Sequence, residues 1–176
     1  RASLAVLRRA PISAGAGDDI ITVTGSQRGM DNMASIDAGS GTNVINVTGG
    51  TQAMEKGTIT AGDGDDTITV IGQNGYGIGS STINAGDGNN EINISGSREG
   101  MSNSSKVIPG DAADTISIYG DTWGIRQNDS DDAGPGNNTI TLRVPSPSGL
   151  YNCSSIAYGA DSENLHSTGL LRCMAV

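Results

Sequence analysis

Six near-copies of one 14-residue segment recur along this chain. They read ISAGAGDDIITVTG from Ile12, IDAGSGTNVINVTG from Ile36, ITAGDGDDTITVIG from Ile59, INAGDGNNEINISG from Ile83, VIPGDAADTISIYG from Val107 and a degraded DDAGPGNNTITLRV from Asp131. The first glycines of their turns, Gly15, Gly39, Gly62, Gly86, Gly110 and Gly134, lie 24 residues apart except for one step of 23. A register held over six copies marks a stacked architecture, in which each copy buries its apolar side against the next.

Within each copy the residues after the turn alternate with period two, so Ile68 and Val70 share one face. The equivalent pairs are Ile21/Val23, Ile45/Val47, Ile92/Ile94, Ile116/Ile118 and Ile140/Leu142. A third apolar position precedes the turn (Ile12, Ile36, Ile59, Ile83, Val107). A fourth lies midway through the variable half (Met30, Met54, Ile78, Met101, Ile125). Four inward residues per copy, with no partner inside the copy, predict an all-β fold: a single β-solenoid of about six coils with short terminal caps. At strand spacing this is a rod roughly 28 Å long. The chain has 176 residues, 27 of them glycine, and no phenylalanine, so its core must be built from Ile, Val, Ala and Met. In AGDG the chain reverses tightly, and positive φ is cheap only for glycine.

The turns resemble the nonapeptide repeat of the repeats-in-toxin (hemolysin-type) calcium-binding β-roll, Gly-Gly-x-Gly-x-Asp-x-apolar-x. The segments that carry the resemblance are AGAGDDIIT, AGDGDDTIT and AGDGNNEIN, about one third of each copy. The resemblance implies that turn carbonyls and aspartates of neighbouring coils share Ca²⁺. It places the key aspartate of that family on Asp19, Asp66 and Asp114. The chain departs from the pattern in carrying Asn43, Asn90 and Asn138 at the alternate copies, and in joining one turn to a longer variable segment. Stacked carboxylates at ~5 Å repel by about 3 kcal/mol per neighbouring pair at an effective dielectric near 20. Alternating Asn halves that load and forms amide ladders. Asp63, Asp65, Asp66 and Asp87 form the densest cluster across one coil boundary. With Asp19, Asp111 and Asp114 they make up the expected metal set. Two readings stand side by side: calcium in some of the turns, with carbonyls, Asn amides and water completing its shell, or Asp and Asn present for turn geometry alone.

Three segments are expected. Residues 1–11 form an N-terminal cap, where ASLAVLRR has the make-up of two helical turns that Pro11 would end. Residues 12–143 are the solenoid. Residues 144–176 form a C-terminal cap or docking element, closed by a disulfide between Cys153 and Cys173, which implies an oxidising compartment. The chain begins at Arg1 without an initiator Met or signal peptide, as a processed chain or a fragment would.

The net charge of −9 disfavours nucleic acid and anionic membranes and favours cations. No apolar run approaches the ~20 residues of a membrane span. His166, the only histidine, stands near Ser162, Glu163 and Ser167, but nothing in their spacing favours a catalytic set, and no enzyme is expected. The expected role is a secreted structural solenoid: an extracellular filament, surface-layer or adhesin building block. Its partners would be further copies of itself and, beyond those, glycans or a cell surface. Two alternatives remain. One is an ice-binding solenoid using the outward row Thr22, Asn46, Thr69, Asn93, Ser117 and Thr141. The other is a polysaccharide-acting β-helix enzyme, for which Tyr119, Trp123 and Arg126 are the sugar-binding side chains to hand.

Overall fold

The computed structural model describes residues 2–4, 6–127, 129–132, 134–145, 150–151, 155–157 and 164–167. They build an all-β, three-sided parallel solenoid. The coil around the third turn shows the plan. Thr58–Thr60 runs into the glycine turn, Thr67–Gly72 follows along the longest side, Tyr76–Gly79 along the next, and Thr82–Asn84 closes the triangle. Among the described residues, the long sheet holds eight parallel strands and the other two sheets seven each. Register is strict. Ile68 pairs with Ile45 on one side and Ile92 on the other, and Val70 with Val47 and Ile94.

All six Ile/Val/Leu pairs of the long sheet are buried, as are Met30, Met54, Ile78, Met101 and Ile125 on the second sheet. On the third, Ile36, Ile59, Ile83 and Val107 are buried and Ile12 packs against them from the end. Each fully buried side chain of this size contributes about 1.5–3 kcal/mol. The second sheet breaks the alternation where it faces the core. A Cβ on Gly77 or Gly100 would collide with the Cγ2 of Ile94 or Ile118 respectively, so the longer side chains of the long sheet fill that space.

The helical turns expected over residues 2–9 do not form. Ala2–Leu4 is a strand paired with Ile21–Val23, and Leu7–Arg8 pairs with Met30–Asp31. The segment continues the stack because a templating edge was open to it, and parallel pairing satisfied its backbone. The far end behaves alike: Leu150–Tyr151, Ser155–Ala157 and Asn164–Ser167 add one strand to each sheet. Counted the same way, the eight strands make the long sheet about 38 Å tall rather than 28 Å. Cys153 and Cys173 lie outside the described residues, as do Ser162 and Glu163.

Candidate metal centre

The glycine turns stack along one edge of the triangle. Gly86 shows why glycine is required there. Its φ is +88°, and a Cβ would sit inside the van der Waals shell of the Gly62 carbonyl oxygen in the preceding coil. Ala112 occupies a second-glycine position at φ +141°, a strained backbone for alanine.

Behind the glycines runs a side-chain ladder formed by half-buried Asp19 and the buried Asn43, Asp66, Asn90, Asp114 and Asn138. From Asn43 onward, each Oδ1 accepts the backbone N–H of its counterpart one coil earlier. The distances are 3.0 Å from Asp19 to Asn43, 2.7 Å from Asn43 to Asp66, 3.0 Å from Asp66 to Asn90, 2.8 Å from Asn90 to Asp114 and 2.7 Å from Asp114 to Asn138. The second atom of each side chain separates the two residue types. The Asn43 Nδ2 donates to the carbonyls of Gly41 at 3.1 Å, Ala61 at 3.4 Å and Gly39 at 3.5 Å. The Asn90 Nδ2 donates to Gly88 at 2.9 Å, Pro109 at 3.1 Å and Gly86 at 3.3 Å. The Oδ2 atoms of Asp66 and Asp114 are buried at the equivalent place and have no hydrogen-bond partner. Both residues are 1% exposed. Burial pushes their carboxyl pKa values up, against the backbone N–H and the nearby side-chain amide of Asn43 at Asp66 and of Asn90 at Asp114, and the charge of Asp65 adds to the rise at Asp66.

The structure does not gather the expected metal set into one cluster. Among the described residues, no three acidic, His or Cys side chains converge. Asp63, Asp65, Asp87 and Asp111 are exposed on the turn rim, and Asp19 is half-buried. The Asp65 Oδ1 is engaged by the Asn89 N–H at 2.8 Å and its Nδ2 at 3.3 Å. What the turns offer a cation is therefore one enclosed carboxylate oxygen per aspartate level, together with the carbonyls that the neighbouring Asn amides bind at their own levels. By repeat equivalence, those at Asp66 are Gly62, Gly64 and Ala85. An oxygen-only donor set with water to complete it suits Ca²⁺, which takes 6–8 oxygens, and a single carboxylate places it in the weak class of sites, with Kd of about 0.1–1 mM.

Three further polar groups were not anticipated from the sequence. At the corner between the second and third sheets, Ser81 and Ser105 hydroxyls accept the N–H of Gly57 and Ser81, and the Asp129 Oδ1 accepts the N–H of Ser105 at 2.6 Å. Burial raises the Asp129 pKa to about 7, despite its N–H donors from Ser105 and Arg126, and the charge of Glu99 adds to the rise. Glu99 is fully buried and pairs with Arg126 at 2.5 Å, whose guanidinium lies 4.5 Å from the Trp123 ring. Nearer the N-terminus, Asp31 is bridged by Arg8 and Arg28 at 3.0 Å each. Burial opposes its ionisation, but the two guanidiniums outweigh it and hold its carboxyl below the ordinary value. His166 is exposed and pairs in register with Thr141 on the long sheet.

Compared with protein families, curated proteins and solved structures, the chain shows no significant match.

Proposed function

We propose that this chain is a secreted structural solenoid that binds Ca²⁺ along its turn edge and assembles with further copies of itself into an extracellular filament or layer. The observation that carries the reading is the pair of buried, unpartnered oxygens on Asp66 and Asp114. A carboxylate oxygen turned towards carbonyls is repelled by them unless a positive centre lies between, and a divalent cation supplies one. Sites of this weak class fill at the calcium levels of extracellular modules, which agrees with a role outside the cell.

The long sheet supports the assembly half of the reading. Its outward positions from Ile20 to Arg143 are mostly Thr, Ser, Asn and aliphatic residues; Glu91 and Arg143 are the charged ones, whereas the acidic residues crowd the turn rim. Two copies of a chain of net charge −9 approach with least repulsion across this face. Negative-stain electron microscopy with calcium and after chelation tests the proposal. Filaments or sheets that disperse on chelation support it, and isolated short rods in both conditions refute the assembly. A second reading is favoured by the register of Thr22, Asn46, Thr69, Asn93, Ser117 and Thr141, which form one outward row. That row would serve as an ice-binding face, and thermal hysteresis would reveal it.

A further inference from the structure

We infer that the side-chain amides of Asn43, Asn90 and Asn138 stand in for bound cations, so that the turn edge takes one ion for every two coils, at the aspartate levels. The inference rests on the calcium reading and refines it. Aspartate and asparagine use Oδ1 identically along the ladder, each accepting the N–H of the preceding coil. Their second atoms therefore point to one place in the turn. At the Asn43 and Asn90 levels that atom is an N–H donor, and it meets two carbonyls of its own turn and one of the next coil. The Asn138 amide meets Gly134 and Gly136 of its own turn at 3.4 Å each. At the Asp66 and Asp114 levels the atom is an oxygen without a partner, 1% exposed residues in both cases. The amide already supplies the positive end that the carbonyls need, so an asparagine level has no place for an ion. A carboxylate level has no amide of its own there, and an ion would supply the positive end.

The spacing gives this arrangement a physical advantage. Ions in every turn would lie ~4.8 Å apart, the distance between neighbouring strands. Ions in alternate turns lie ~9.6 Å apart, which halves the Coulomb repulsion between dications. Asp19 is the outermost aspartate level and is half-buried, so its ion would be held more weakly.

Calcium stoichiometry tests the inference, measured on the full chain by equilibrium dialysis and calorimetry, with circular dichroism to confirm folding. Asp66→Asn should bind one ion fewer than the wild type and stay folded, because its new amide repeats that of Asn90. Asn90→Asp should bind one ion more, held more weakly because ions at Asp66 and Asp114 lie ~4.8 Å away on either side, and its folding should become calcium-dependent. A wild-type ion count that matches every turn, or a count that Asp66→Asn leaves unchanged, overturns the inference while the calcium reading stands. A wild type that binds no calcium at millimolar concentration overturns both. Should Asn90→Asp fail to fold with calcium present, the aspartate level would not be generated by the carboxylate alone, and that too counts against the inference.

Discussion

Replacing Asp66 by asparagine should stabilise the calcium-free protein. The two side chains have the same shape, and the Oδ1 that accepts the Asn43 N–H at 2.7 Å is kept. What changes is the buried Oδ2, now an amide facing the same carbonyls that Asn43 and Asn90 face in their own turns. Leaving a buried polar atom unpaired costs about 1–3 kcal/mol, and new donations each contribute about 1 kcal/mol. A net gain of about 2 kcal/mol raises Tm by roughly 4–8 °C for a chain of this length. Calcium should narrow the gap, and reverse the order for a Kd near 0.1 mM. In 10 mM calcium a site with Kd of about 0.1–1 mM gains roughly 2.7–1.4 kcal/mol, and the variant forfeits that increment at its own level. The assay is thermal unfolding by circular dichroism, for wild type and variant, in chelator and in 10 mM calcium. A variant less stable than the wild type in chelator would mean that the Asp66 Oδ2 is satisfied in some other way, and the argument from the unpartnered oxygen would fail.

Three other substitutions probe the stack. Asp129→Ser restores the hydroxyl found at Ser81 and Ser105. The stability that protonated Asp129 gives is present below its unfolded value of 3.8 and lost as pH rises through about 7, at most about 4 kcal/mol. The variant's unfolding free energy should therefore flatten over that window in denaturant titrations, and an unchanged slope would refute the buried-acid assignment. Gly86→Ala places a methyl against the Gly62 carbonyl at a positive φ, so a loss of about 3–5 kcal/mol in urea unfolding is expected. Ala112→Gly relieves the φ of +141° and should gain about 1 kcal/mol, where a loss would show that the alanine is not strained.

The Ile68/Val70 ladder could be read from sequence because a period of two, repeated at 24 residues, admits few other arrangements. The 24-residue repeat likewise marks Met54 and Ile78 as inward, and both are buried. The second side of the triangle was harder to see as a strand. Gly77 holds the inward place beside Ile94, so the apolar alternation that marks a strand is absent from QNGYGIGS. Leu4 and Leu7 stand three apart, a spacing that suits one helical face and equally two strands joined at a corner, and only the open sheet edge decides between them. At the turns, the resemblance to the calcium β-roll singles out Asp19, Asp66 and Asp114, and the densest cluster joins Asp66 to Asp63, Asp65 and Asp87, the last three of which are exposed. What the sequence could not show is that Asp66 and Asp114 bury a second oxygen without a partner, a feature visible only once the stacking register sets them beside the levels of Asn43 and Asn90. Glu99 and Arg126 are 27 residues apart, and no local pattern announced their pairing.

The most direct test is a crystal grown in calcium and measured with X-rays at a wavelength where calcium scatters anomalously. The account predicts anomalous peaks about 2.3–2.6 Å from the Oδ2 atoms of Asp66 and Asp114, with none at Asn43, Asn90 or Asn138. Peaks confined to the exposed rim carboxylates, or a turn edge without any, would contradict it.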